Sequence, residues 1–366
     1  MGSLRSANKL IIIGLGGYVF YAIETHYALW RMDASSPIVW VFAFVFYDFC
    51  YYWFHRISHE RQIFWASHVA HHQSEDYNLS TALRQTGTGA FFTWVFYIPV
   101  FLLGVPSYVF VSVASINLVY QFWVHSEHIP KLGWYEKFFV TASNHRVHHA
   151  QNENYIDKNY GGVFIIWDRM FGTFKEEDEN ETPIYGIRGT LNTFNPIWAN
   201  LHIYISMAKD IWNAQNWKDK FFVPFARTGW RPSSLPEQPA KDNFDAETFQ
   251  KYNPEVSIKI KIYSFFQFLA LAYVGLVILE SGELNYQELW VTVSMMAFTM
   301  YCTSLWLDGK EGFAMEITRL ALCIIIGVYS FFDATLGSIA ISLLGYAGIN
   351  ILLLPLINRP QIFSKA

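Results

Sequence analysis

The stretch from His55 to His72, HRISHERQIFWASHVAHH, holds five histidines at close and regular spacing. They form two blocks, HxxxH at 55–59 and HxxHH at 68–72. Residues three and four apart share one face of an α-helix, so each block directs two or three imidazoles into one volume. The stretch is therefore predicted to form helices that present partial metal-binding cages.

Further histidines continue this pattern downstream. Of the twelve histidines in the chain, four more lie at position 125 and in a second HxxHH block at 145–149. An isolated histidine is more often a hydrogen-bonded core or surface residue than a ligand, but a repeated set at ligand spacing favours a metal site. No single block could complete a coordination shell, whereas all of them together could hold two ions. The nine predicted ligands are His55, His59, His68, His71, His72, His125, His145, His148 and His149.

The donor type limits the choice of metal. Imidazole-rich sites disfavour Ca²⁺ and Mg²⁺, which prefer oxygen ligands, and leave zinc, iron and copper. Two ions in a site that faces a membrane favour iron and dioxygen acting on a lipid carbon. On ligand type alone, zinc stays an alternative.

The composition is that of a membrane protein. Only 15% of the residues are charged while 52% are hydrophobic and 19% aromatic, and the apolar residues come in long runs. The net charge of -4 comes without a Lys/Arg-rich patch, which argues against nucleic-acid binding. Three widely separated cysteines, Cys50, Cys302 and Cys323, lie in apolar stretches and predict neither a disulfide nor a thiolate metal site.

The apolar runs predict an all-α polytopic fold with about eight transmembrane helices and a cytoplasmic-side helical cap that carries the histidines. With the N-terminus in the cytoplasm, the second and fourth spans both exit to that side, so all the histidine blocks reach one membrane face. Arg319 lies three residues after Glu316 in one of the last spans, which predicts an internal ion pair or, alternatively, contact with a lipid head group. The runs cover residues 10–29, 36–54, two helices within 85–124, 258–279, 288–307, 313–332 and 334–357.

Three acidic features accompany the histidines. Asp48 shares a helix face with His55 and His59, so it is predicted to orient an imidazole or, alternatively, to bond a tyrosine or an interhelical donor. If the helix of the second block continues, Glu75 falls on the face of its histidines as a ligand, a hydrogen-bond acceptor or a proton carrier. The acidic run at 176–179 is predicted to be a solvated loop.

Longer strings carry a family resemblance. The three histidine blocks stand with SEDYNLSTALRQ at 74–85, QFWVHSE at 121–127, IDKNYGG at 156–162 and IIWDRMFGTF at 165–174. Over roughly residues 47–174 this set resembles the alkylglycerol monooxygenase branch of the fatty acid hydroxylase and sterol desaturase superfamily, whose members are membrane di-iron enzymes. Asn144 stands where that branch would have a further histidine.

The resemblance implies a lipid monooxygenase that uses dioxygen and tetrahydrobiopterin to hydroxylate the ether-linked carbon of alkylglycerols, giving a fatty aldehyde and a glycerol product. It implies two iron ions as cofactors, and Glu75 as a catalytic residue. Pterin contacts are expected at Arg84, Asn78 and Lys158. Like Asp48, Asp157 is expected to orient a ligating histidine without binding the metal itself.

On this interpretation, residues 1–174 form the membrane and di-iron hydroxylase core, 175–256 a water-facing segment and 257–366 the C-terminal membrane helices. The protein would be a multi-pass membrane protein of the endoplasmic reticulum in a eukaryote, or of the inner membrane in a bacterium. Its partners would be a lipid substrate within the membrane and an external reductant, with the oligomeric state open.

Two other functions remain alternatives at this stage. One is a fatty-acid or sterol-type C–H hydroxylase that uses an external electron donor. The other is a metal or haem transporter. A transport path would distribute its histidines at membrane depth through several spans, whereas these cluster where helices leave the membrane on one side, which disfavours transport.

Overall fold

The computed structural model describes residues 15–236, 244–281, 284–333 and 336–357. Within these ranges the structure is helical, and extended segments pair only in isolated bridges, so the all-α prediction is confirmed. The α-helices are α1 (Leu15–Ala22), α2 (Pro37–Glu60), α3 (Gln62–Ala66), α4 (Val69–His72), α5 (Leu79–Leu83), α6 (Ile98–Leu102), α7 (Ser107–Trp123), α8 (Ala142–His149), α9 (Ile166–Phe171), α10 (Pro196–Asn213), α11 (Trp217–Phe222), α12 (Ile258–Ser281), α13 (Tyr286–Leu307), α14 (Phe313–Ser330) and α15 (Ala340–Leu353).

In the part of the chain that the structure describes, four helices are long and apolar enough to cross a membrane: α2, α12, α13 and α14. They match the predicted runs at 36–54, 258–279, 288–307 and 313–332. The predicted hairpin at 85–124 instead forms short helical turns, α6 and the 17-residue α7, and the last run forms the 14-residue α15. Part of the predicted first span lies outside the described residues.

Local sequence signals set the ends of these elements. Proline at the first turn of α2 follows Ser36, as expected for a helix start. Between α6 and α7, Gly104 has a φ of 87°, and a Cβ there would lie 1.8 Å from the carbonyl oxygen of Trp30. Only glycine fits this turn, which separates α6 from α7, and both helices are shorter than expected for membrane spans.

The chain divides into two compact units. The first contains the described residues up to 191 together with 199–251, and its apolar core packs α2 against α6 and α7 through Ala43, Tyr47, Phe101 and Val109. This unit contains all nine predicted ligands.

The second unit contains residues 192–198 and the described residues from 252 onward, including α12 to α15. At its centre Arg319 and Glu316 form an ion pair, and each side chain is 1% exposed. Tyr263 and Asn350 add hydrogen bonds to the Arg319 guanidinium, which offset the cost of desolvating the charges. The predicted internal ion pair is therefore confirmed. All three cysteines are buried and free, as expected.

Candidate metal centre

Three short structural features position the histidines. The last two turns of α2 carry His55 and His59, and the one-turn helix α4 with its preceding residue carries the second block. The third block lies on α8, whose residues are all buried. Thr141 caps the start of α8, where its backbone N–H donates to the Asn144 side chain at 3.1 Å. Asn144 thus has a capping role at the position where the resemblance suggests a histidine.

The structure brings all nine predicted ligands together in two groups. In each group, ring nitrogens from every member lie within 4.8 Å of one another. Among the described residues neither group contains a carboxylate or a cysteine, so the donor set is purely imidazole. The first group is His55, His59, His68, His72 and His148, and the second is His71, His125, His145 and His149.

Helix geometry explains this division. Residues four apart on a helix lie about 40° apart around its axis and therefore point the same way. The pairs 55/59 and 68/72 both enter the first group, and the pair 145/149 enters the second. The middle histidine of each HxxHH block, at the fourth position, goes to the opposite group: His71 to the second and His148 to the first. The two groups are thereby interlocked, with the His72 and His149 rings stacked at a centroid distance of 4.3 Å.

The nitrogen spacing suits a coordinated ion. The Nε2 atoms of His55 and His68, and those of His59 and His72, are 3.1 Å apart. In the second group, His145 and His125 are likewise 3.1 Å apart through Nε2. Two nitrogen ligands about 2.1 Å from one ion, at angles of roughly 90 to 109°, would be separated by about 3.0 to 3.4 Å. The observed spacings fall in that interval.

His71 and His125 supply a sharper test of the fit. The Nδ1 of His71 lies 3.2 Å from the Arg84 carbonyl oxygen and that of His125 lies 2.8 Å from the Gln121 carbonyl oxygen. A neutral imidazole has one N–H group. In each of these two rings, Nδ1 carries that group and donates it to the carbonyl oxygen, so Nε2 presents a lone pair. These lone pairs face each other at 3.4 Å. They cannot hydrogen-bond to one another, and the arrangement calls for a cation.

The first group is oriented in the same manner. His55 and His148 place their Nδ1 atoms 2.9 Å from the carbonyl oxygens of Tyr160 and Lys158, respectively. The Nε2 of His148 is buried and has no hydrogen-bond partner. Carbonyls behind the rings thus fix the tautomer that leaves Nε2 free to bind metal.

Burial keeps these imidazoles neutral. It lowers the pKa of His71 to about 3 and that of His125 to about 4. Burial, followed by the neighbouring imidazoles, also lowers the pKa of His72, His145 and His149 well below the ordinary value. The rings are therefore deprotonated at neutral pH, which is the state that a metal requires.

Asp48 differs from the first of its two predicted roles. Its buried carboxylate accepts hydrogen bonds from the Asn117 side chain at 2.7 Å, the backbone N–H groups of Val163 and Phe164 at 2.8 and 3.0 Å, and the Trp167 indole at 3.0 Å. None of these donors is an imidazole. Asp48 instead anchors the loop at 160–164, which begins with the carbonyl that holds His55. The reason is its position on α2, about two turns before His55, where it faces that loop.

A second carboxylate anchors the same loop and was not anticipated from the sequence. The buried Asp168 accepts from the backbone N–H groups of Tyr160 and Gly161 at 2.7 and 2.8 Å, and from the Thr173 hydroxyl at 2.7 Å. Burial raises the pKa of Asp168 to about 6. Asp168 is the one carboxylate in the largely apolar stretch at 165–171, and this is the sequence signal that could have suggested a buried, hydrogen-bonded acid.

Asp157 does lie beside an imidazole. Its carboxylate oxygen is 3.9 Å from Nδ1 of His59, which is beyond hydrogen-bond distance, so Asp157 lies beside this ring without bonding it. Asp157 has a φ of 58° and Asn159 one of 56°, a left-handed conformation that Asp and Asn tolerate better than most residues. This bend turns the Lys158 carbonyl toward His148.

The acidic run at 176–179 is only partly the solvated loop that was predicted. Glu177 makes a bidentate ion pair with Arg146 of α8 at 2.8 and 2.6 Å, and the two side chains are 13% and 9% exposed. Arg146 also donates to the Ser126 and Ile129 carbonyls. Because Arg146 follows His145 directly, this pair fixes the helix that carries three ligands.

The remaining candidate residues surround the second block. The helix there ends at His72, so Glu75 leaves the predicted arc. It is half-buried, and its side chain packs against Gly186. Arg84 donates to the Ala70 carbonyl at 2.6 Å and to the Gln73 side chain at 2.9 Å, while Asn78 caps α5. Arg84 therefore braces the block that bears His71.

Comparisons with known proteins agree with this geometry. Residues 40–173 match the family model described as fatty acid hydroxylase. Alkylglycerol monooxygenase of Homo sapiens is 40% identical to the chain over 311 residues, 84% of this chain and 68% of the human protein. The same enzyme of Xenopus tropicalis is 39% identical and that of Danio rerio 42% identical. No solved structure gives a significant match.

The alignments with the other two relatives are shorter. The Xenopus alignment covers 71% of this chain and 57% of the Xenopus protein, and the Danio alignment covers 60% of this chain and 48% of the Danio protein. The chain therefore spans between about half and two thirds of the length of these relatives. All nine histidines lie inside the matched hydroxylase region.

Proposed function

The chain belongs to the alkylglycerol monooxygenase family, and we propose that it hydroxylates the ether-linked carbon of alkylglycerols. The hydroxylated carbon is a hemiacetal, which breaks down to a fatty aldehyde and a glycerol product. The observation that carries this proposal is the pair of interlocked imidazole groups inside the fatty acid hydroxylase region. Nine imidazole nitrogen donors, eight of them on buried histidines, suit redox-active iron at a lipid-facing site.

We propose one iron ion in each group. Bound iron would supply the activation of dioxygen. The chain itself holds the ligands: the carbonyls of Arg84 and Gln121 fix rings of the second group, and those of Tyr160 and Lys158 fix rings of the first. The facing lone pairs of His71 and His125 support an ion between them.

Tetrahydrobiopterin is the proposed reductant, since a monooxygenase must obtain two electrons from a donor for each turnover. Arg84, Asn78 and Lys158 stay proposed contacts for it, in addition to the structural roles described above. Glu75 is the proposed proton carrier. It is half-buried in the loop that follows His72 and interacts electrostatically with the Arg84 guanidinium.

The proposed setting is a multi-pass membrane protein whose histidine groups lie on the cytoplasmic side, in the endoplasmic reticulum or a bacterial inner membrane. Four helices support membrane insertion, and up to eight spans with a helical cap remain the proposal. The membrane and di-iron hydroxylase core would be residues 1–174, with 175–256 as a water-facing segment and 257–366 as the C-terminal membrane helices.

Aldehyde release from an alkylglycerol by the purified protein tests the function. Activity is expected with tetrahydrobiopterin and not without it, and metal analysis should give about two irons per chain. Glu75→Ala should abolish turnover, whereas the matched neighbour Asp76→Ala, an exposed acid paired with Lys251, should retain it. Hydroxylation of a fatty acid or sterol without cleavage of the ether would contradict the proposal, as would an active preparation that contains only zinc.

A further inference from the structure

A band of exposed aromatic side chains lies on α10, α11 and the turn after them, in a part of the chain outside the predicted spans. Trp212 is 83% exposed, Trp217 74%, Phe221 72% and Phe225 61%. An aromatic side chain presents roughly 150 to 250 Å², so these four expose on the order of 500 Å² of apolar surface. That matches the largest patches of soluble monomers, which mark contact surfaces.

Membrane spanning does not explain this exposure. The 18-residue α10 is not among the four candidate spans, and α11 has only six residues. The buried face of α10 already packs inward through Met207, against Ala66 of α3 and Val223. The exposed aromatic residues are therefore a second apolar face, directed away from the unit's core.

The charges around this face are mostly positive. Lys209 and Lys218 are exposed beside it, and the ammonium group of Lys220 lies 5.6 Å from the centre of the Trp217 ring. The nearby Asp210 is buried and bonded to Arg231, which leaves Asp219 as the acidic residue on α11. Tryptophan and phenylalanine flanked by lysine suit the headgroup layer of a bilayer.

Hydrogen bonds fix the depth of this surface relative to a membrane span. The backbone N–H of Gln62 donates to the Ala226 carbonyl at 3.1 Å, and the Arg61 guanidinium donates to the Phe225 carbonyl at 3.1 Å. The Thr228 N–H donates to the Glu60 carbonyl at 3.2 Å. Glu60 is the last residue of α2, a helix of 24 residues and thus about 36 Å long, slightly more than the hydrocarbon core of about 30 Å.

The end of α2 must therefore lie at a membrane surface, and the aromatic band is bonded to it. The same end of α2 carries His55 and His59. We propose that Trp212, Trp217, Phe221 and Phe225 lie in the headgroup layer of the bilayer leaflet on the side of the metal centre. This surface, the interfacial anchor, would hold the centre against the leaflet, so that a lipid could reach it without crossing water. The access of a lipid substrate to the centre rests on the proposed function, whereas the anchor itself does not.

Spin-label depth measurements on the full-length protein in phosphatidylcholine vesicles containing phosphatidylglycerol test the anchor. Single cysteines are introduced as Trp217→Cys, Phe221→Cys and, as the control, Asn180→Cys on an exposed polar loop. The three native cysteines are buried, and metal content verifies the fold of each variant. Labels at 217 and 221 should be several-fold more accessible to oxygen than to a water-soluble nickel chelate, with the reverse ratio at 180.

Nickel access at 217 and 221 equal to that at 180 would overturn the proposal. So would spin–spin broadening between labels that disappears on dilution with unlabelled protein, since this would show a contact between two copies. A second measurement uses Trp217→Ser with Phe221→Ser. KM for a long-chain alkylglycerol in vesicles should rise about threefold to tenfold, while kcat/KM for a short-chain soluble alkylglycerol is unchanged. If the unsubstituted protein turned over no alkylglycerol at all, the proposed function would be contradicted, but the depth result would still stand.

Discussion

Asp48 is the buried charge on which the loop around His55 depends. Its carboxylate accepts four hydrogen bonds, two of them from the backbone of that loop. In Asp48→Asn the side-chain NH₂ faces N–H donors and cannot accept their hydrogen bonds. The free energy of unfolding should therefore fall by about 2 to 4 kcal/mol. Iron content should fall although no ligand is removed. Thermal unfolding and metal analysis check this result against Asp33→Asn, an exposed acid, and equal behaviour of the two variants would contradict it.

The division of the ligands into two groups makes a second prediction at this scale. His68→Ala removes a nitrogen from the first group and His125→Ala removes one from the second. Each variant should lose about one iron ion per chain, because the other group keeps its full set of ligands. Each should also abolish turnover. His128→Ala, at an exposed histidine outside both groups, is the control. Loss of both ions, or of neither, in the single variants would show that the groups do not act as separate sites.

The spacing of the histidines could predict these ligands but not their partners. An i, i+4 pair shares a helix face whatever the fold, so that part followed from the sequence. The assignment of His148 to the group of α2 depends on how α8 packs against α2, which is a tertiary fact. The acceptors behind His71 and His148 are backbone carbonyls. Every residue has one, so the sequence cannot show which of them bond the histidines.

At the level of elements, α8 is a short buried helix whose position depends on one ion pair. Glu177→Gln would leave the Arg146 guanidinium buried without a full charge partner, which typically costs about 3 to 5 kcal/mol. The variant should therefore unfold more easily and bind less iron. Glu176→Gln is a matched control, because Glu176 is exposed and pairs with Lys131 at the surface, where such a pair contributes about 1 kcal/mol or less.

Chemical denaturation in detergent measures both variants, with metal content recorded alongside. If Glu177→Gln and Glu176→Gln lose stability equally, the ion pair does not hold α8. The sequence alone suggested a solvated loop for both residues, because four consecutive acids resemble one. What distinguishes Glu177 is the arginine that folds back onto it from 31 positions earlier.

Other elements differed from the sequence interpretation for related reasons. The helix of the second block was expected to include Glu75, but it ends at His72 and Ser74 bonds the Asp76 carbonyl in the turn that follows. Hydrophobicity over 85–124 correctly located apolar helices. It could not show that they would be short: Gly89–Phe91 and Thr93–Tyr97 form 3₁₀ turns, and the second of these turns contacts α2.

At the scale of the whole molecule, the two units divide the tasks. Among the described residues, the unit with the nine histidines contains one candidate span, and the other contains three together with a buried polar network around Arg319. Composition could identify this second portion as membrane helices because its apolar runs are long. It could not count the spans of the first unit, where apolar residues serve both the core around α2 and surfaces such as the interfacial anchor.

The concentration of neutral imidazoles gives the whole protein a pH dependence of definite sign. Burial lowers the folded-state pKa of His71 to about 3 and of His125 to about 4, while in the unfolded chain each has its ordinary value of about 6.5. As the pH falls below 6.5, the unfolded chain binds protons that the folded one does not, so stability is lost. At pH 5 each such group contributes about 2 kcal/mol to this loss.

Asp168 acts in the opposite direction, since burial raises its pKa to about 6 and the folded state gains stability as that carboxyl is protonated. It is one group against several imidazoles, so the net effect of acid is destabilising. Thermal unfolding of the metal-free protein in detergent should give a constant Tm above about pH 7.5 and a steep fall below 6.5. Iron should shift that fall to lower pH, because a bound ion competes with protons for the same nitrogens. A Tm that stays level to pH 5 without metal would mean that the folded protein already carries protonated imidazoles, and the facing lone pairs of His71 and His125 would then not exist.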